Sequence, residues 1–99
     1  MTLDGIRNSI KTGQYRFSDH AVKRMIKRSI SRQEVEAVIG EGEIIEEYPN
    51  DKYAPSCLVY GKTKTGRTLH IQVSLPPVVV VITAYEPDPE EWVNGRKRR

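Results

Sequence analysis

Set out at about 100° per residue, residues 19–28 divide into two sides. His20, Lys23, Arg24, Lys27 and Arg28 lie on one, and Ala21, Val22, Met25 and Ile26 on the other. His20 and Arg24 are i, i+4 neighbours, and Lys27 lies near them after one more turn. For a phosphodiester this geometry is useful: the cations hold the phosphate, and an imidazole at a helix N-terminus is available for proton transfer. A second histidine, His70, falls on the polar phase of an alternating run, Thr68 to Leu75. Thr83 and Tyr85 share one phase of the next run, so an antiparallel pairing sets them beside His70 or Gln72. Together these residues describe a site that moves protons and binds phosphate. The same residues also fit a plainer reading, with a solvated basic face, a capping histidine and two unrelated imidazoles.

Other chemistries find less support. Two histidines 50 positions apart, with no third and no nearby cysteine, make no standard zinc set. Glu41, Glu43, Glu46 and Glu47 read as an exposed strand edge rather than a magnesium site. Cys57 sits in an apolar strand, which suits a buried, inert thiol. Gly40-Glu41-Gly42 reads as a helix stop, and no glycine-rich phosphate loop is present. The sequence therefore predicts neither metal nor cofactor, and sets nucleotide-cofactor enzymes aside.

The elements that must position these residues can be read in order. Leu3, Ile6 and Ile10 have helical spacing, with Gly13 as a stop. Tyr15 and Phe17 make a brief extended link. Ser18 offers an N-cap, with Asp19 in the first turn, for a helix reaching about Arg28. Ser31 and Glu34 form a capping-box pattern ahead of Val35, Val38 and Ile39, and Gly40 stands where a left-handed C-cap belongs. Beyond Gly42 the texture becomes that of antiparallel strands: Glu43–Tyr48, Ser56–Lys62, Thr68–Leu75 and Val78–Tyr85. Their connections are 49–55, 63–67 and the tight Pro76-Pro77. The fold class is α+β, with N-terminal helices on one face of a roughly four-stranded antiparallel sheet. Residues 1–92 form a single domain and 93–99 a loosely ordered basic tail.

Length and charge agree with one compact unit. A chain of 99 residues makes one core. One cysteine excludes an internal disulfide and suits the cytoplasm. The longest apolar run, residues 78–82, is too short to span a bilayer. The net charge of +3 conceals an asymmetry: residues 1–32 carry +6, 33–60 carry −6, 61–85 carry +3, and 86–99 are neutral. Unless these segments mingle in space, the basic part presents a cationic face to a polyanion.

The pattern Ser18-x-His20-Ala21-x-x-Arg24-Met25-x-x-Arg28-x-Ile30-Ser31 resembles the opening motif of a small bacterial domain-of-unknown-function family allied with RelE- and BrnT-type ribonuclease toxins. Further signposts follow: Gly42 to Ile45, Tyr48, Pro55-Ser56, Leu58, Gly61, Leu69 to Ile71, Thr83 to Tyr85, Pro87-Asp88 and Trp92. Ser29 departs from the glycine usual in that family, which bears on the helix exit. The resemblance implies a RelE-like or microbial-ribonuclease-like fold and an endoribonuclease, the toxin half of a toxin-antitoxin pair.

Metal-independent cleavage by a ribose 2′-OH needs a base, an acid and cations for the developing charge. His20 and His70 take the acid and base roles, with Tyr85 able to replace one as acid. Arg24 and Arg28 stabilise the phosphate, Thr83 and Tyr85 position it, and Lys27 and the tail hold flanking phosphates. RNA and an antitoxin protein are the partners. The rival is a non-catalytic RNA- or protein-binding module of the same fold.

Overall fold

The computed structural model describes residues 1–52 and 54–99. The expected 49–55 connection contains Tyr53, which lies outside the described residues. Three helices come first: α1 (Asp4–Lys11), α2 (Asp19–Arg28) and α3 (Arg32–Glu41). The strands are β1 (Tyr15–Phe17), β2 (Glu43–Tyr48), β3 (Ser56–Lys62), β4 (Thr68–Ser74) and β5 (Val79–Tyr85), followed by the short β6 (Trp92–Val93) and β7 (Lys97–Arg98).

Local signals place the helices. The Ser18 hydroxyl accepts from the Ala21 amide at 3.0 Å and caps α2. At α3 both bonds of the capping box form: Glu34 N–H to Ser31 Oγ at 3.1 Å and Ser31 N–H to Glu34 Oε1 at 2.9 Å. Ser29 closes α2 in the left-handed region at φ 55°, so a serine takes the conformation that glycine adopts most easily. Gly40 is not a left-handed cap. Helix α3 runs on to Glu41 and ends at Gly42, whose φ is −83°. Gly42 passes so close to the backbone oxygens of Val38 and Tyr60 that a Cβ has no room.

The sheet is mixed and five-stranded, in the order β1-β5-β4-β3-β2. Strands β2 to β5 form the antiparallel meander expected. The link at Tyr15–Phe17 becomes a fifth strand, parallel to β5, with Tyr15 opposite Val79 and Phe17 opposite Val81. It uses an edge of β5 that the meander leaves open. All three helices lie on one face, where Ile6, Val35, Val38 and Ile39 meet Val59, Leu69, Ile71, Val73 and Val81. Each such side chain removed from water contributes about 1.5–3 kcal/mol.

Only part of α2 joins this core. Ala21 is buried and Met25 half-buried, but Val22 and Ile26 are exposed. The helix runs along β5, beside the sheet's edge, and a narrow stripe of it meets the interior.

The opposite face carries the polar phase: Ser56, Leu58 and Tyr60 of β3, His70 and Gln72 of β4, Thr83 and Tyr85 of β5. Registers Tyr60↔His70, His70↔Tyr85 and Gln72↔Thr83 align them across strands. Residues 93–99 are not a loose tail. Asn94 and Gly95, at φ 55° and 74°, turn the chain so that Trp92 pairs with Arg98 and Val93 with Lys97. This hairpin folds over the polar face.

Candidate functional site

Beneath the hairpin His70 is fully enclosed, with an exposure of 0%. Its ring meets Trp92 edge-on at 4.5 Å between centroids and Tyr85 at 5.3 Å. Nε2 bonds the Gly95 carbonyl, and Nδ1 lies 3.3 Å from the Tyr85 hydroxyl. Burial holds the imidazole below its ordinary pKa, an effect that the Gly95 bond and Glu46 only partly offset. A carbonyl accepts only, so Nε2 carries the proton, and the neutral ring leaves Nδ1 as an acceptor.

His70 is therefore not a group that meets a substrate directly, and direct sharing of acid and base work by His20 and His70 is corrected. The alternating pattern of β4 marks the polar phase correctly. A segment from much later in the chain then buries its central residue.

The group of the polar phase that reaches an open cleft is Tyr85. A cleft of about 580 Å³ is lined by Arg24, Arg28, Tyr85, Trp92 and Arg98, together with Glu86, Asp88 and Glu91. Burial raises the Tyr85 phenol above its ordinary pKa, while the nearby charges of Arg98 and Arg24 pull the other way. The carboxylates do not cancel the helix cations. Glu86 pairs with Arg67 at 3.1 Å, and Asp88 accepts from the Glu90 amide at 2.9 Å. Among the described residues no ion pair engages Arg24 or Arg28.

Arg67 fixes this end of α2. Its guanidinium donates to the backbone oxygens of Arg28 (2.5 Å) and Ser29 (2.8 Å) and reaches Glu34 at 3.4 Å. The other end is tied by Ser18, which donates from its backbone to Val81 O at 2.9 Å and from its hydroxyl to Ile82 O at 2.8 Å. The basic stripe is thus held along β5 at both ends.

His20 is exposed at the head of the stripe and lines a neighbouring hollow of about 680 Å³ with Arg16, Ser74, Pro77, Val80 and Ile82. His20 and His70 share no cleft among the described residues. Lys27 is exposed on α2 and stands outside the Tyr85 cleft. Thr83 faces Gln72 across the strands, and its Oγ1 is shielded from solvent without a hydrogen-bond partner among the described residues. Gln72 is held by Asp51 (3.2 Å) and Ser56 (3.1 Å). Cys57 is buried, and burial pushes its thiol up to about 11. No three His, Cys, Asp or Glu side chains among the described residues group as metal ligands.

Sequence reasoning missed Arg98, Trp92 and Gly95 as parts of the site. The Asn94-Gly95 pair is a type I′ turn signal that points to this hairpin, but the following basic run reads as solvated chain. Arg98 in fact stacks over Trp92 at 4.6 Å and pairs with Glu46 at 2.8 Å. Arg96 lies over Tyr60 at 4.8 Å and pairs with Glu43 at 3.0 Å. Basic tail and acidic strand do mingle, and part of the charge asymmetry cancels there.

Among the described residues no helix is long and apolar enough to cross a membrane. Residues 17–86 match a family model described as a domain of unknown function, DUF4258. Neither the curated proteins nor the solved structures provide a match.

Proposed function

We propose that this chain, which belongs to the DUF4258 family, is a metal-independent endoribonuclease and the toxin half of a toxin-antitoxin pair. The observation that carries the reading is one cleft in which two unpaired guanidiniums, Arg24 and Arg28, flank the Tyr85 hydroxyl. A phosphate held by both arginines has its developing charge countered where it forms, and guanidinium forks suit phosphate oxygens. Tyr85 is the group placed to handle the ribose 2′-OH proton. His20 stands one turn above Arg24 on the same helix face, about 5–6 Å away between Cβ atoms for such a pair. It is the donor to the leaving 5′-oxygen, with His20, Arg24 and Tyr85 as the groups that touch substrate. Lys27 continues the stripe toward flanking phosphates. The alliance with RelE- and BrnT-type toxins rests on the motif from Ser18 to Ser31, and an antitoxin is the protein partner it implies.

The test is cleavage of mixed-sequence RNA in the presence of a chelator. The expected result is a product ending in a 2′,3′-cyclic phosphate, with no cut where the scissile ribose is 2′-deoxy. Arg24→Ala with Arg28→Ala removes cleavage while the far-UV and near-UV spectra stay unchanged. Salt-dependent RNA binding without any cleavage overturns the enzyme reading in favour of a binding module. Absence of both binding and cleavage overturns the nucleic-acid reading altogether.

A further inference from the structure

We propose that Tyr85 and His70 form a two-step proton relay, in which Tyr85 touches the substrate and His70, locked by the Gly95 carbonyl, is the positioning residue that receives the proton behind it. The inference deepens the ribonuclease reading and rests on it for the identity of the substrate.

Three observations carry it. First, the Gly95 carbonyl fixes the tautomer: Nε2 holds the hydrogen, so the free lone pair of Nδ1 points at Tyr85. Second, the hydroxyl hydrogen of Tyr85 is the donor that pair requires, which turns the remaining lone pairs of the phenol oxygen toward Arg24 and Arg28. A phenol in this state accepts a proton from the cleft side as it releases its own on the buried side. Third, the imidazole is held against reorientation by Trp92 on one side and by Tyr60, at 6.2 Å between centroids, on another. A histidine kept merely for packing needs none of these three constraints together.

The proton count closes. The 2′-O–H bond breaks and its hydrogen bonds to Tyr85 Oη, while the original Tyr85 hydrogen moves to His70 Nδ1. The freed 2′-oxygen forms a bond to phosphorus, the P–O5′ bond breaks, and the 5′-oxygen takes a proton from the His20 imidazolium. His70 then returns its proton through Tyr85 to solvent, and His20 is reprotonated from solvent. No oxidant, reductant or further reactant is needed.

The charges facing the pair come from several elements. His70 faces Glu46 of β2 and Arg98 of β7, which act in opposite directions. Tyr85 faces Arg24 of α2, Arg98, Glu46 and Glu91. Because burial keeps His70 neutral near neutral pH, it is ready to receive the proton, and activity falls as acid protonates it first.

The experiment combines 15N NMR of the full chain with the pH dependence of RNA cleavage. Wild type is expected to show an Nε2–H, Nδ1-bare His70, and Tyr85→Phe to shift the Nδ1 resonance. Tyr85→Phe and His70→Gln are each expected to slow cleavage by about 100-fold or more. His70→Gln is also expected to remove the acid limb of the rate profile, a change that loosened packing does not produce. If His70→Gln fails to fold, the wild-type tautomer and the Tyr85→Phe profile decide. An Nδ1–H tautomer overturns the relay even where RNA is cleaved, as does an acid limb unchanged in His70→Gln. The predicted tautomer in a protein that cleaves no RNA overturns the ribonuclease reading instead, and leaves the pair without a catalytic task.

Discussion

The two basic segments of this chain have similar charge and opposite fates. In α2 the arginines at 24 and 28 have no ion pair among the described residues and open onto a cleft. In the C-terminal hairpin Arg96 and Arg98 are each spent on a carboxylate and an aromatic ring. Charge in a sequence is thus not charge available to a ligand. What separates the two is the neighbour: α2 runs beside β5, whose exposed end carries Thr83 and Tyr85, whereas the hairpin lies over Glu43 and Glu46. One segment is left free to meet a polyanion, and the other holds a lid over His70.

The largest effect that sharpens this contrast is on stability. Trp92 is 2% exposed beneath Arg98 and against His70, so Trp92→Ala is expected to cost about 3–5 kcal/mol. Ile26 on α2 is 76% exposed, and Ile26→Ala is expected to stay within about 0.5 kcal/mol. Urea denaturation of the two variants measures the difference. Equal losses would mean that the hairpin is no more part of the fold than the outer face of α2. Next comes binding. Arg24→Ala with Arg28→Ala is expected to reduce the log–log salt slope of single-stranded RNA binding by roughly 2, about one for each lost phosphate contact. Arg96→Ala with Arg98→Ala is expected to leave that slope nearly unchanged. Fluorescence anisotropy across a salt series reads both, and a larger change from the hairpin pair would reverse the assignment of roles.

What was legible in the chain tracks how local the signal is. The Ser18 cap, the Ser31–Glu34 box and the alternation of β4 are decided within a few residues, and each forms as read. Strand β1 pairs with β5 across more than 60 residues, and three positions are too few for alternation to announce a strand. The site divides in the same way. Arg24, Arg28 and Tyr85 converge because a capped helix and a strand end were both placed correctly. His70 could not be placed, because polarity in a strand does not say whether a later segment will cover it. Trp92 and Gly95 do so from 22 and 25 positions away. The turn at Asn94-Gly95 was visible, but its destination was set by Glu43 and Glu46 some 50 residues earlier.

The smallest expected effect tests the hairpin's charges alone. Glu46 is partly buried, which by itself raises its carboxyl, but hydrogen bonds from Arg98 and Tyr48 bring it below the ordinary carboxylate value. A carboxyl lowered in the folded state adds stability that is present above its unfolded pKa and is lost as pH falls through the folded one. The gap in melting temperature between wild type and Glu46→Gln should therefore be constant near neutrality and close below about pH 4. The size is that of a largely exposed pair, about 0–1 kcal/mol, and it should shrink in high salt. His70 contributes an acid sensitivity of its own. Its imidazole is lowered by burial, so the unfolded chain takes up that proton first and stability begins to fall as pH drops below about 6.5. Both proteins share that loss, so it cancels in their difference. Arg24→Ala with Arg28→Ala, which breaks no ion pair, should leave the pH dependence of melting unchanged. A wild-type to Glu46→Gln gap that persists at pH 3 would show that the Arg98 contact contributes through packing on Trp92 rather than through charge.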